Sequence, residues 1–271
     1  MKFCMRKSVP GLDELIIDID FGRIKAIENQ IQGWDDDSTS FILSCSNDVI
    51  DKLSLRGQEY KSIKSLVKKY PEKIKIRFAY YLNNEKIKNI LDFFKEDKIP
   101  FFFVNIPLDY DTIDGFLSLG VTDIYIGNQL GFDIQNVAKK VHAAGASVRI
   151  YPNICQSSYS YGDKLTQFYV RPEDISAYEN WVDVCELISF NNSDGTLYKI
   201  YAKEKKWWGP LKEIILGLDS DIDNRYIGPE FAWFRTSCRK RCLIDGSCKM
   251  CKRIEELSHV AKKIKDKKEK T

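Results

Sequence analysis

The sequence predicts a parallel (β/α)8-type, TIM-like barrel followed by a C-terminal cysteine-rich segment and a basic helix. Three observations carry that prediction. Apolar runs of strand length alternate with helix-period segments from about residue 40 onward. Some runs, such as "PFFFVNI" (100–106), are apolar on both faces, as in a parallel sheet buried beneath helices. No G-x-G-x-x-G or P-loop stretch follows the early strands, which disfavours an open doubly wound sheet. With 271 residues, 44% of them hydrophobic, the chain can build one large core.

Taken in order, "SFILSC" (40–45) reads as a strand before a helical stretch that ends at Pro71. "KIKIRFAYY" (73–81) precedes a helix in which Ile87, Ile90, Leu91 and Phe94 share one face. "PFFFVNI" leads into "DTIDGFLSLG", and "VTDIYIG" (121–127) into "DIQNVAKKVHAAG". "SVRIYPN" (147–153), "TQFYVR" (166–171) and "DVCELISF" (183–190) continue the series, and "LKEIILGL" (211–218) reads as an eighth strand. On this reading residues 1–39 form an N-terminal extension packing on the barrel, with "ELIIDID" as an extra strand. Residues 40–232 form the barrel, and 233–271 the metal-binding segment and basic tail.

The N-terminus lacks the unbroken apolar run of a signal peptide, and no stretch reaches the roughly 18–20 apolar residues that span a bilayer. A cytoplasmic chain with reduced thiols and no membrane contact is the expectation. The formal net charge is +3, but residues 235–271 carry thirteen Lys/Arg against five Asp/Glu. A basic end on a mildly acidic body suits a nucleic acid or an acidic partner, or is a solvated helix.

In such a barrel, chemistry belongs at the C-terminal ends of the strands. The substrate-binding candidates there are Asn105, Asn128, Asn153, Gln156 and Asn191, amides that would hold a polar or anionic substrate by directional hydrogen bonds. Arg171 suits a carboxylate or phosphate, Glu186 a general base, and Cys155 is a thiol facing the mouth. Only two histidines exist, so a His-dependent triad is disfavoured. His142 falls inside a helix and reads as structural.

The segment "GVTDIYIGNQLGFDIQNVAKKVHAAGASVRIYPN" (120–153) resembles the collagenase-like peptidase family. Gly120, Asp123, Tyr125, Gly127, Phe132, Gly145 and Asn153 fill that family's pattern, and "QFYVRPEDI" (167–175) is similar to its next strand and turn. The resemblance implies a barrel with a four-cysteine iron–sulfur cluster. It also implies either hydroxylation of a nucleic acid or aromatic metabolite, or peptidase activity. Where the family carries its cysteine motif, this chain reads "DVCELISFNNSDG", and its own clustered cysteines come later.

Those cysteines are Cys238, Cys242, Cys248 and Cys251, spaced C-x3-C-x5-C-x2-C around an Asp-Gly turn. Four thiolates there could hold a [4Fe–4S] cluster, or Zn2+ at about 2.3 Å, or remain thiols and disulfides. The expectation is therefore an iron–sulfur modification enzyme. The alternatives are a zinc-stabilised scaffold that docks through its basic end, and a peptidase.

Overall fold

The computed structural model describes residues 1–6, 8–34, 38–78, 85–104, 109–127, 133–154, 169–189, 194–218 and 222–228, with Glu256 and Lys263. Eight parallel strands form one sheet: β1 (Lys2–Met5), β2 (Glu14–Asp18), β3 (Ser40–Cys45), β4 (Ile74–Phe78), β5 (Phe101–Phe103), β6 (Asp123–Tyr125), β7 (Ser147–Ile150) and β8 (Val184–Glu186). The order β5-β4-β3-β2-β1-β8-β7-β6 is the chain order read around a circle. The circle closes where Thr122 donates its backbone N–H to the Phe101 carbonyl at 2.9 Å. This is the TIM-like barrel that the alternating pattern predicts.

Two strand assignments change. The barrel begins at residue 2: β1 and β2 are two of its staves, so residues 1–39 belong to the barrel and do not pack on it as an extension. "LKEIILGL" is no eighth strand. Leu211, Ile214, Ile215 and Leu218 are its buried positions, a helical spacing, and Leu211–Glu213 form a 3-10 turn. In "TQFYVR", residues 166–168 lie outside the described residues, and the Tyr169–Arg171 remainder enters a 3-10 helix at Pro172.

Helices α1 (Ile24–Gln32), α2 (Asn47–Leu53), α3 (Gln58–Lys69), α4 (Glu85–Glu96), α5 (Tyr110–Ser118) and α6 (Ile134–Ala143) cover the sheet, and α7 (Asp194–Tyr198) runs into a π-helical turn at Lys199–Glu204. The face predicted for α4 is the buried one: Ile87, Ile90, Leu91 and Phe94 are all at most 3% exposed. Their partners point outward from the strands. Phe78 and Phe101 pack against Phe94, and Phe78 and Phe103 are stacked at 5.4 Å. Asp109 caps α5 by accepting the Thr112 N–H at 2.8 Å. Gly120 and Gly145 end α5 and α6 at φ +77° and +76°, a conformation in which a Cβ would clash with the backbone. Two of the family-pattern glycines are thus explained by helix termination. Among the described residues, no helix is long and apolar enough to cross a membrane.

Candidate functional site

Residues side by side in a parallel register share a face. Cys4 lies opposite both Glu14 and Glu186, Ser44 opposite Arg77, Arg77 opposite Phe102, and Tyr125 opposite Arg149. The hydrogen bonds among these side chains put that shared face inside the barrel. Its interior, which branched aliphatic residues usually fill, is here strongly charged. Lys75, Arg77 and Arg149 meet Glu14, Asp123 and Glu186 there, three cations against three carboxylates.

The charges fall into two layers. In the lower one, nearer the N-terminal ends of the strands, Arg149 donates from Nε to Asp123 Oδ1 at 2.7 Å, and its Nη2 lies 2.6 Å from Glu14 Oε2. Lys75 Nζ bonds both Asp123 oxygens at 3.1 and 3.0 Å, and Thr122 adds a hydroxyl at 2.6 Å. The Arg149 guanidinium also lies over the Phe102 ring, 4.8 Å from its centroid. Burial alone would raise the Asp123 pKa, but Arg149 and then Lys75 outweigh it and hold the carboxyl below its ordinary value.

The upper layer lies at the strands' C-terminal ends. Arg77 Nη1 donates to Glu186 Oε1 at 2.8 Å, and the Tyr125 hydroxyl donates to Glu186 Oε2. The Tyr125 and Tyr151 rings stack at 4.7 Å and 13°, and their hydroxyls are hydrogen-bonded. Burial, reinforced by Glu186, pushes both phenols above their ordinary values, so both stay protonated at neutral pH. Burial opposes the Arg77 charge, yet Glu186 more than restores it. The Arg77 side chain is 7% exposed, and its Nε has no hydrogen-bond partner among the described residues. Cys4, beside Glu186 in the register, has its thiol pushed well up by burial and then by that carboxylate. It is a neutral, inert thiol.

The predicted residues fare unequally. Glu186 is where the sequence places it, at the end of a strand and inside the barrel. Arg171 is a structural clamp and not a ligand anchor. It grips Asp174 through two 2.6 Å bonds and reaches Asn224 Oδ1 at 3.1 Å and the carbonyls of Ile227 and Gly228. Asn153 is likewise committed to backbone, donating to the Ile188 carbonyl at 2.7 Å and accepting its N–H at 3.0 Å. His142 is structural as predicted, 2.8 Å from Asp183, which also accepts the Val148 N–H. Cys155, Asn105, Asn128, Gln156 and Asn191 lie outside the described residues.

The metal readings require correction. Among the described residues, no group of three or more His, Cys, Asp or Glu could hold a metal ion, and Cys4, Cys45 and Cys185 are separate buried thiols. Cys238, Cys242, Cys248 and Cys251, with most of the basic tail, lie outside the described residues. The [4Fe–4S] and Zn2+ assignments are therefore not carried forward. Nor are the modification enzyme, the zinc scaffold and the peptidase that accompanied them.

Sequence reading missed Arg77, Lys75, Arg149, Tyr151 and Glu14, and took Asp123 and Tyr125 only as pattern residues. The signal was available as alternation. "KIKIRF", "ELIID" and "SVRI" each place charge on every second residue or between apolar neighbours, and the two signs match across strands. No protein-family model matches the chain, and no curated protein matches it. The likeness to the collagenase-like peptidase family has no support from these comparisons, and the barrel is what the structure shows.

Proposed function

We propose that the protein binds a small metabolite bearing an anionic oxygen at the C-terminal mouth of its barrel, with Arg77 as the anchor and the Tyr151–Tyr125–Glu186 chain supplying proton donors and an acceptor beside it. One observation carries this reading. Arg77 commits one N–H to Glu186 and leaves Nε without a partner among the described residues, although a buried unsatisfied donor costs about 1–3 kcal/mol. A carboxylate or phosphate oxygen is the strongest acceptor for a guanidinium edge. Strand ends at the C-terminal face are also where barrels of this kind carry their ligands. Protonated phenols next to a carboxylate suit acid–base chemistry on a bound substrate.

The test is a thermal-shift panel of small carboxylates, phosphate esters and uncharged polyols, run on the wild type and on Arg77→Lys. Anions are expected to raise the melting temperature. Replacing the guanidinium should weaken the best of them by about 10–100-fold, the equivalent of one charge-assisted hydrogen bond. Stabilisation by polyols alone, by no compound, or equally in both proteins would overturn the reading.

A further inference from the structure

At the opposite, N-terminal face of the barrel, a cleft of about 450 Å3 opens between the end of α3, the turn into β4 and the turn into β5. That size suits a small metabolite. Four lysines (Lys64, Lys68, Lys75 and Lys98) line it against two carboxylates, Glu72 and Asp97. The Asp97 charge is already met, by Lys64 at 2.6 Å and by the Tyr60 hydroxyl at 2.6 Å. Lys75 is held inward on Asp123. Lys68 and Lys98 are exposed and form no ion pair with any described residue. The wall between the lysines is apolar, built from Val67, Pro71, Ile99 and Pro100. Glu72 and Lys98, in the two turns that frame the opening, have φ +65° and +55°, an unfavourable backbone for non-glycine residues that their surroundings hold in place.

From this geometry we infer a second binding site, independent of the barrel mouth, for a small organic phosphate with an apolar body. Lys68 and Lys98 pair with the phosphate, and the Val67–Pro71–Ile99–Pro100 wall receives the body. A bare anion gains only the two exposed lysines, and a bare ring only the apolar wall. A molecule joining the two gains both. Lys75 forms the inner wall of the cleft and also grips Asp123, so the lower charged layer of the barrel lies directly behind the site.

Calorimetric titration at low ionic strength with phenyl phosphate, inorganic phosphate and phenol tests the inference, using the wild type, Arg77→Lys and the double variant Lys68→Ala/Lys98→Ala. Both replaced lysines are exposed, so the double variant is expected to fold, and its melting curve checks this. Phenyl phosphate should bind the wild type more tightly than either half-probe. Its affinity should fall roughly tenfold in the double variant, as two partly exposed charge contacts are removed, and should hold in Arg77→Lys. No saturable binding, binding unchanged by the double variant, or inorganic phosphate binding as well as phenyl phosphate would each overturn it. Loss in Arg77→Lys with retention in the double variant would assign the phosphate to the mouth, which also overturns the cleft while supporting the mouth site.

Discussion

The two charged layers inside the barrel are built from similar groups but finished differently. In the lower layer, Asp123 takes bonds from Arg149, Lys75 and Thr122, and the Arg149 guanidinium lies over an aromatic face. In the upper layer, Arg77 meets one carboxylate, and its neighbours are phenols kept protonated by burial. A buried ion pair contributes little net stability over an apolar core, while removing one partner is costly. The lower layer ties β2, β4, β6 and β7 together through ion pairs, although Glu14 Oε2 and the two Arg149 terminal nitrogens meet no hydrogen-bond partner among the described residues. What sets the upper layer apart is its place, because its unpartnered Arg77 Nε lies toward the C-terminal face, where a ligand can arrive.

The sharpest way to break this contrast is Asp123→Asn. It leaves Arg149 and Lys75 facing a neutral amide, and urea denaturation should show a loss of about 3–5 kcal/mol. The pH dependence has a definite sign. Asp123 titrates lower in the folded protein than in the unfolded chain. Its contribution is complete above the unfolded carboxylate value of about 4, and it fades as the pH falls through the folded value. The stability gap between wild type and variant should therefore narrow in acid.

Next in size is Arg171→Lys, which removes a two-bond grip on Asp174 and three further contacts. About 2 kcal/mol of stability should be lost in the same urea assay. Anion affinity at the mouth should not move, whereas in Arg77→Lys it should fall. Tyr125→Phe deletes the hydrogen bond to Glu186 and the partner of the Tyr151 hydroxyl, and should cost about 1.5 kcal/mol in thermal melts. The smallest effect is chemical. Cys4, Cys45 and Cys185 are fully buried, with thiols pushed up by burial, so peptide mapping after iodoacetamide treatment of native protein should find them unmodified up to pH 8.

Much of the fold was legible in the sequence because outward-facing strand positions and helix faces follow apolar periodicity. "PFFFVNI" and the Ile87–Phe94 face are examples, and Gly120 and Gly145 mark their helix ends. The site was harder to see, and "KIKIRF" shows why. Alternating Lys or Arg with Ile usually means one face in water. Here the polar face turns into the barrel, where Lys75 and Arg77 are neutralised by carboxylates distant in sequence. Only closure of the sheet brings Glu186 to Arg77. Glu186 lies at the strand end where its position in the sequence puts it. Arg171 shared that cue and proved structural, and its i,i+3 partner Asp174 in "RPED" was the available warning. β1 was missed because it is only four residues long, and β2 was read as an extra strand outside the barrel because Glu14 and Ile16 alternate inward while Asp18 at its end is exposed.

The account turns on the Arg77 Nε–H, and nitrogen–proton correlation spectra of arginine side chains observe that group directly. Comparison with Arg77→Lys assigns its resonance. Adding the tightest-binding anion of the panel should move that resonance downfield in a saturable way as the N–H gains an acceptor, and leave the Arg171 Nε–H in place. An Arg77 resonance that stays fixed while the anion saturates the protein would contradict the account.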